Sequence, residues 1–261
     1  MHQLMVQAEI ERIRNSPRYN NPRNLISFGY KIYSQSDEDG IIREIFNRIG
    51  VTNRTFVEFG VGNGLENNTI SFLLEKWKGL WIESSTKSTK TIEKNFSNVI
   101  NRGHLKVINA FVTKKNINDL ISFDGEEIDL LSIDIDGNDA HIFDAITSVK
   151  PRVVVIEYNA KFPPPILFCM KYNESHIWKD DDCFGASLKY LEILFSEKGY
   201  YLVGCNISGV NAFFVRKDLV EDKFEAPYSA EKHFEPARYY LTFGFSSGHS
   251  STYTTLENML I

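Results

Sequence analysis

The 261-residue chain has only three cysteines, Cys169, Cys183 and Cys205, odd in number and far apart. That scarcity argues against a disulfide framework or a structural zinc site, and the three read as reduced thiols. No stretch approaches 18 consecutive apolar residues, so no membrane span is expected. The opening segment, MHQLMVQAEIERIR, contains no continuous apolar signal region. A soluble, cytoplasmic protein is the expectation. Basic surplus is missing too: 29 Lys and Arg stand against 34 Asp and Glu, for a formal charge of −5. Binding nucleic acid by phosphate neutralisation is therefore not expected. Internal repeats and low-complexity tracts are also lacking. The remaining composition, 43% hydrophobic and 24% charged, is that of a globular chain long enough to bury a substantial core.

Hydrophobic periodicity divides the chain. Residues 1–30 read as an N-terminal helix (Leu4 to Arg14) and a polar, Pro-containing connector. A helix with Ile41, Ile42, Ile45 and Phe46 at helical spacing follows, with Gly50 as its stop and Ser36 and Asp39 spaced as a capping box. Strand patterns over 55–60, 79–85, 104–113, 128–135 and 152–159 then alternate with helical ones over 68–77, 89–98, 116–123, 139–149 and 185–199. Residues 200–207 and 211–219 are close enough to form an antiparallel pair. The fold class is α/β, a mostly parallel sheet covered on both faces. Residues 31–220 form its body, 160–183 a lid or substrate loop, and 221–261 an extension of the same domain. In such sheets ligands bind outside the carboxyl ends of the strands, where strand order reverses.

Those strand ends carry the chemistry. The first ends in VEFGVGNG, with Glu58, Gly60, Gly62 and Gly64. Glycines there let the backbone turn sharply and approach a ligand closely. A dinucleotide fingerprint wants G-x-G-x-x-G, but position 65 is Leu. The E-x-G-x-G-x-G pattern suits an S-adenosylmethionine loop better; a glycine turn without a ligand is the bland alternative. The second strand ends at Glu83, where a carboxylate can accept both ribose hydroxyls of an adenosine. Ser84 beside it and Asn109 on the third strand are counted with the cofactor set.

In LLSIDIDGNDAH, Ser132, Asp134 and Asp136 share one strand face, and Asp139 and His141 fall in the first turn of the next helix. The fifth strand ends with Glu157 and Asn159. With the two strands adjacent, Glu157 lies beside Asp134 or Asp136. This oxygen-rich set suits Mg²⁺ or Mn²⁺ far better than zinc. The metal ligands expected are Asp134, Asp136 and Glu157, with His141, Asp139 and Asp134 as catalytic candidates. Two alternatives stay open: a metal-free acid/base cluster, or Asp136 and Asp139 serving only the helix N-terminus.

Together these segments, with SQSDEDGII and GASLKYLEILFSEKGYYLVGCNISGVNAFFVRKDL, resemble the FkbM-type S-adenosylmethionine-dependent methyltransferases over about residues 34–219. Family members usually show D-[VI]-E-G-x-E where this chain has Asp134-Ile-Asp136-Gly137-Asn-Asp139, so acidity is kept with shorter side chains. The resemblance implies a class I methyltransferase fold with a seven-stranded sheet ending in an antiparallel hairpin. It implies cofactor binding by Glu58, Gly60, Gly62, Gly64 and Glu83, with Gln35 able to reach the cofactor or substrate. It also implies O-methylation of a sugar, glycolipid or secondary metabolite, with a divalent ion and a nearby histidine as base. A capsule precursor bearing a phosphate or phosphoramidate is the suggested acceptor, and a homo-oligomer is left open. The rival readings are an NAD-dependent oxidoreductase, for which no Tyr-x-x-x-Lys pair follows the fourth strand, and a non-catalytic cofactor-binding module.

Overall fold

Seven mostly apolar segments pair into one sheet: β1 (Thr55–Phe59), β2 (Lys78–Glu83), β3 (Leu105–Asn109), β4 (Glu127–Ile133), β5 (Lys150–Glu157), β6 (Tyr200–Cys205) and β7 (Asn211–Arg216). The computed structural model describes residues 2–121, 127–245 and 248–259. Strand order is β3-β2-β1-β4-β5-β7-β6. β1 to β5 run parallel, and β7 lies antiparallel between β5 and β6. This is the Rossmann-like arrangement of class I methyltransferases that the resemblance implies, and its mostly parallel sheet is what the alternating pattern predicts. The order reverses between β1 and β4, which places the ligand crevice at their carboxyl ends.

Central strands are apolar on both sides because helices cover both faces. Val57 and Phe59 face one core, shared with Ile142, Phe143 and Leu191. Phe56 and Trp81 face the other, with Ile41, Ile45 and Ile92. The helices are α1 (His2–Arg14), α2 (Glu38–Ile49), α3 (Ile70–Leu74), α4 (Thr86–Asn95), α5 (Ser97–Asn101), α6 (Ile117–Leu120), α7 (Asp139–Ala145) and α8 (Leu188–Glu197), followed by the short α9 (Lys217–Val220), α10 (Ala230–His233) and α11 (Tyr253–Met259). α2 to α5 pack on the second core and α6 to α8 on the first. α1 lies apart, its Val6, Ile10 and Ile13 packed on Leu241 of the segment Tyr239–Gly244. No helix among the described residues is long and apolar enough to cross a membrane. Cys169, Cys183 and Cys205 are all free thiols.

Several boundaries move from their expected places for local reasons. α4 starts at Thr86, not 89, because Ser85 caps it by accepting from the Ser88 N–H. α7 stops at Ala145, where Asn118 accepts from the N–H groups of Thr147 and Ser148 and donates to the Ala145 carbonyl. The helix expected over 116–123 is α6; its last residues, 122 and 123, lie outside the described residues, as do 246–247 and 260–261 of the tail. The expected capping box does not form. Ser36 Oγ contacts Asp37 and Glu38, while Asp39 Oδ2 accepts from three consecutive N–H groups, Ile32, Tyr33 and Ser34, at 2.7–2.8 Å. Asp39 therefore closes the loop that enters α2, and it does so by folding the chain back instead of capping forward.

Candidate functional site

The carboxyl ends of β1, β2 and β4 enclose a cavity of about 390 Å³. Its cradle is the glycine turn after β1. Gly60 has φ +76°, and a Cβ there would come within 1.7 Å of the Asp134 carbonyl oxygen, so only glycine lets the two turns meet. Gly62, at φ +54°, has open space where its side chain would be and donates its N–H to Glu83 Oε2 at 2.9 Å. Glu83 also accepts from the Ser85 N–H at 2.7 Å, so its carboxylate is held at the cavity edge by two backbone donors. Ser84, Ala110, Phe111 and Val112 complete that side.

Not every expected cofactor residue lines this cavity. Gly64 is packed against Trp81, Ile92 and Phe96 and serves the turn. Asn109, opposite Glu83 in register, donates to the carbonyls of Glu83 and Ser84 and so braces the tip of β2. Glu58 is buried, accepting from the Asn68 N–H and the Thr69 and Ser132 hydroxyls. Burial pushes its carboxyl up to about 7 against those three donors. Gln35 lines a different cavity.

That second cavity, of about 690 Å³, adjoins the first, and Asp134 and Asp136 line both. The β4–β5 pairing ends at Ile133 opposite Ile156, and the next residues are Asp134 and Glu157. One oxygen each from Asp134, Asp136 and Glu157 lie within 4.8 Å of one another. Asp136 adopts φ +53°, an uncommon conformation for a residue with a side chain and one that Asp tolerates, in the turn that brings it to this group. Burial pushes the Asp134 carboxyl well up, and the charges of Asp139, Asp136, Glu58 and Glu38 add to it. Glu157 is raised well above its ordinary value for the same reasons, burial first and then Asp134, Asp139 and Asp136. Its Oε2 is buried without any hydrogen-bond partner. Three converging carboxylates with an orphaned buried oxygen make a donor set fitted to a hard divalent cation.

The two other residues expected to act in catalysis take different positions. His141 lines neither cavity; its Nε2 lies 2.7 Å from the Met170 carbonyl, which ties α7 to the 160–183 loop. Asp139 is buried, with Oδ1 accepting from the Ile135 N–H and Oδ2 from the Gly137 N–H. It holds the turn that carries Asp136, bonding back to the turn before α7 and not forward to the helix N–H groups. Asn159 likewise braces the loop, donating to the carbonyls of Asp182 and Phe184.

His176, by contrast, comes into the first cavity from the middle of the long loop. Its ring rests on Gly137, where a Cβ would stand 2.3 Å from its Cδ2, and its Nε2 is buried without a partner. Sequence reasoning names His176 within the long loop, as part of a lid or substrate contact, but gives it no catalytic role. The signal available was the length of the loop; what selects His176 over His141 is packing on a glycine 39 positions earlier in the chain.

No protein-family model and no curated protein matches the chain. Among solved structures it is similar to an O-methyltransferase from Bacillus cereus in complex with SAH, at 14% identity over 83% of this chain and 90% of that one, TM-score 0.43. It is similar to a SAM-dependent methyltransferase from Aquifex aeolicus, at 10% identity over 80% and 97%, TM-score 0.43. A third is precorrin-6y C5,15-methyltransferase from Geobacter metallireducens, at 15% identity over 72% and 93%, TM-score 0.43.

Proposed function

We propose that this protein is an S-adenosylmethionine-dependent O-methyltransferase that acts on a small polar acceptor, of the sugar or glycan-precursor kind, with Mg²⁺ or Mn²⁺. The observation that carries the reading is the shared wall: a glycine-and-glutamate cradle and a second, larger cavity meet at Asp134 and Asp136. An in-line transfer needs its two reactants held on either side of one such point, and positioning of this kind can supply several kcal/mol. When bound, S-adenosylmethionine supplies a methyl group already activated on a sulfonium, and a divalent ion supplies Lewis acidity that lowers the pKa of a hydroxyl.

The chain's own residues do the rest. Gly60 and Gly62 admit the cofactor close to the backbone, and Glu83 accepts the ribose hydroxyls. Asp134, Asp136 and Glu157 hold the ion. His176, among the described residues the one histidine that lines either cavity, takes the proton from the acceptor hydroxyl. His141 and Asp139 act as positioning residues for the loop and for the Asp136 turn. An NAD reading is disfavoured by Leu65 in the glycine pattern and by Gly64, which is packed in the turn away from the cavity.

Calorimetry with S-adenosylhomocysteine and with NADH tests the cofactor, and binding of NADH alone would sink the proposal. For the chemistry, radiolabel transfer from S-adenosylmethionine to a sugar panel is followed with and without EDTA. Full turnover in EDTA removes the metal from the mechanism. His176→Gln should lower kcat by roughly 10²–10⁴-fold, far more than it changes S-adenosylhomocysteine affinity in the cavity it lines; an unchanged kcat removes the base assignment.

A further inference from the structure

The larger cavity carries information about the acceptor's charge. Asp134, Asp136, Glu157, Asp180, Asp181 and Asp182 all line it. Against these six carboxylates stands, among the described residues, a single lysine, Lys161, which is already paired with Asp182. No arginine lines the cavity among the described residues. A divalent ion and a sulfonium would offset part of this charge and still leave the wall negative.

Two further features point to a ligand. Glu157 Oε2 is buried and unpartnered while its residue lines the cavity. Three aromatic side chains, Trp178, Phe184 and Tyr239, line the same space, with Trp178 40% and Tyr239 52% exposed. The Trp178 indole is fixed, its Nε1 donating to the Asp181 carbonyl at 2.7 Å and its ring edge-on to Phe184 at 5.8 Å. Exposed aromatic faces among carboxylates attract an ammonium through both the charge and the ring quadrupole.

Resting on the methyltransferase reading above, we infer that the acceptor is a cation, a small polyhydroxy compound bearing a protonated amine, with the carboxylates and aromatic rings of the 160–183 loop and tail as its receptor. A phosphate-bearing acceptor, the expectation from sequence, would find no free cationic side chain in this cavity among the described residues and would face like charge on the loop. Asp180 and Asp181 are the residues that set this preference. Both are exposed, and neither belongs to the carboxylate trio.

The experiment uses the full chain with S-adenosylhomocysteine and Mg²⁺, and ligand-observed NMR titrations of glucosamine, glucose and glucose 6-phosphate. Glucosamine should bind at least about tenfold tighter than glucose 6-phosphate, the scale of one favourable against one unfavourable charge contact near a surface. The Asp180→Asn, Asp181→Asn double variant should bring the two within about threefold, with S-adenosylhomocysteine affinity unchanged. Equal or tighter binding of the phosphate, absence of glucosamine binding, or an unchanged preference in the double variant would each overturn the inference. Failure to bind S-adenosylhomocysteine would instead count against the methyltransferase reading. The same comparison of amine and phosphate on the protein alone then decides the charge preference by itself.

Discussion

Glu58 sits on β1 behind the glycine cradle, lining neither cavity, and its carboxylate ties β1 to β4 and to the start of α3. It accepts from Asn68 and Thr69 at the start of α3 and from Ser132 on β4, and Trp81 Nε1 donates to the same Thr69 hydroxyl at 2.8 Å. Burial holds its pKa at about 7, above the ordinary 4.5. A carboxyl that binds its proton more tightly in the folded than in the unfolded state contributes stability in full below the unfolded pKa. That stability is lost as pH rises through the folded value. Between pH 5 and 8 the loss should amount to about 2–3 kcal/mol, at about 1.4 kcal/mol per pKa unit. Other buried acids also titrate here, so the wild-type protein is to be compared with Glu58→Gln, which has no charge to lose. In urea melts the wild-type minus variant difference should fall by that amount from pH 5 to pH 8. Parallel pH profiles would show that the three hydrogen bonds, not desolvation, dominate at this residue.

At the scale of elements, the trio depends on the register of β4 against β5. A slip by one residue would turn Asp134 and Glu157 to opposite faces. The register is anchored at the far end of the same two strands, where Arg152 meets Asp129 at 2.8 Å with both side chains buried. Arg152 also donates to the carbonyls of Ile49 and Gly50 at the end of α2, and Asp129 accepts from the N–H groups of Thr52, Asn53 and Arg54. Burial alone would raise the Asp129 carboxyl, but these donors outweigh it and hold it below its usual range. Arg152→Met leaves a buried carboxylate without its cation and should cost about 3–5 kcal/mol in chemical denaturation. A loss under about 1 kcal/mol, the range of an exposed pair, would show that the backbone donors suffice. The strands of this layer were legible in the sequence because residues buried on two faces form continuous apolar runs such as RVVVIE. The carboxylates were legible because their density at one strand tip has no structural use without a partner. His176 was legible only as a member of the long loop, since its place at the site is fixed by long-range packing on Gly137. The true duties of Asp39 and Asp139 were not legible, because their partners are backbone N–H groups that only the folded turns bring to them.

The whole molecule ties its N-terminal helix to the segment Tyr239–Gly244 beside the larger cavity. Tyr239 and Thr242 line that cavity, and they belong to the segment Tyr239–Gly244, which is held by α1. Gly244 is where that contact is tightest, since a Cβ there would reach Val6 Cγ1 at 2.3 Å. Val6, Ile10, Ile13, Tyr19, Ile26, Ile207 and Leu241 form a core separate from the two that flank the sheet. Such a satellite core can open without unfolding the sheet, because stability is not uniform across a structure. The glycine cradle, by contrast, is built on β1, β2 and β4 in the interior of the sheet and has no part in this cluster. Ile10→Asp places an unpaired charge in the satellite core, at a cost of several kcal/mol that exceeds what so small a cluster can absorb. Hydrogen exchange should then accelerate by at least about tenfold in 239–244, corresponding to about 1.4 kcal/mol of lost local stability, while β1, β2 and β4 stay protected. S-adenosylhomocysteine affinity, measured on the same variant, should change by less than about twofold, well under that 1.4 kcal/mol. Loss of protection across the sheet, or an equal loss of cofactor binding, would mean that the terminal contact supports the entire fold and not the acceptor wall alone.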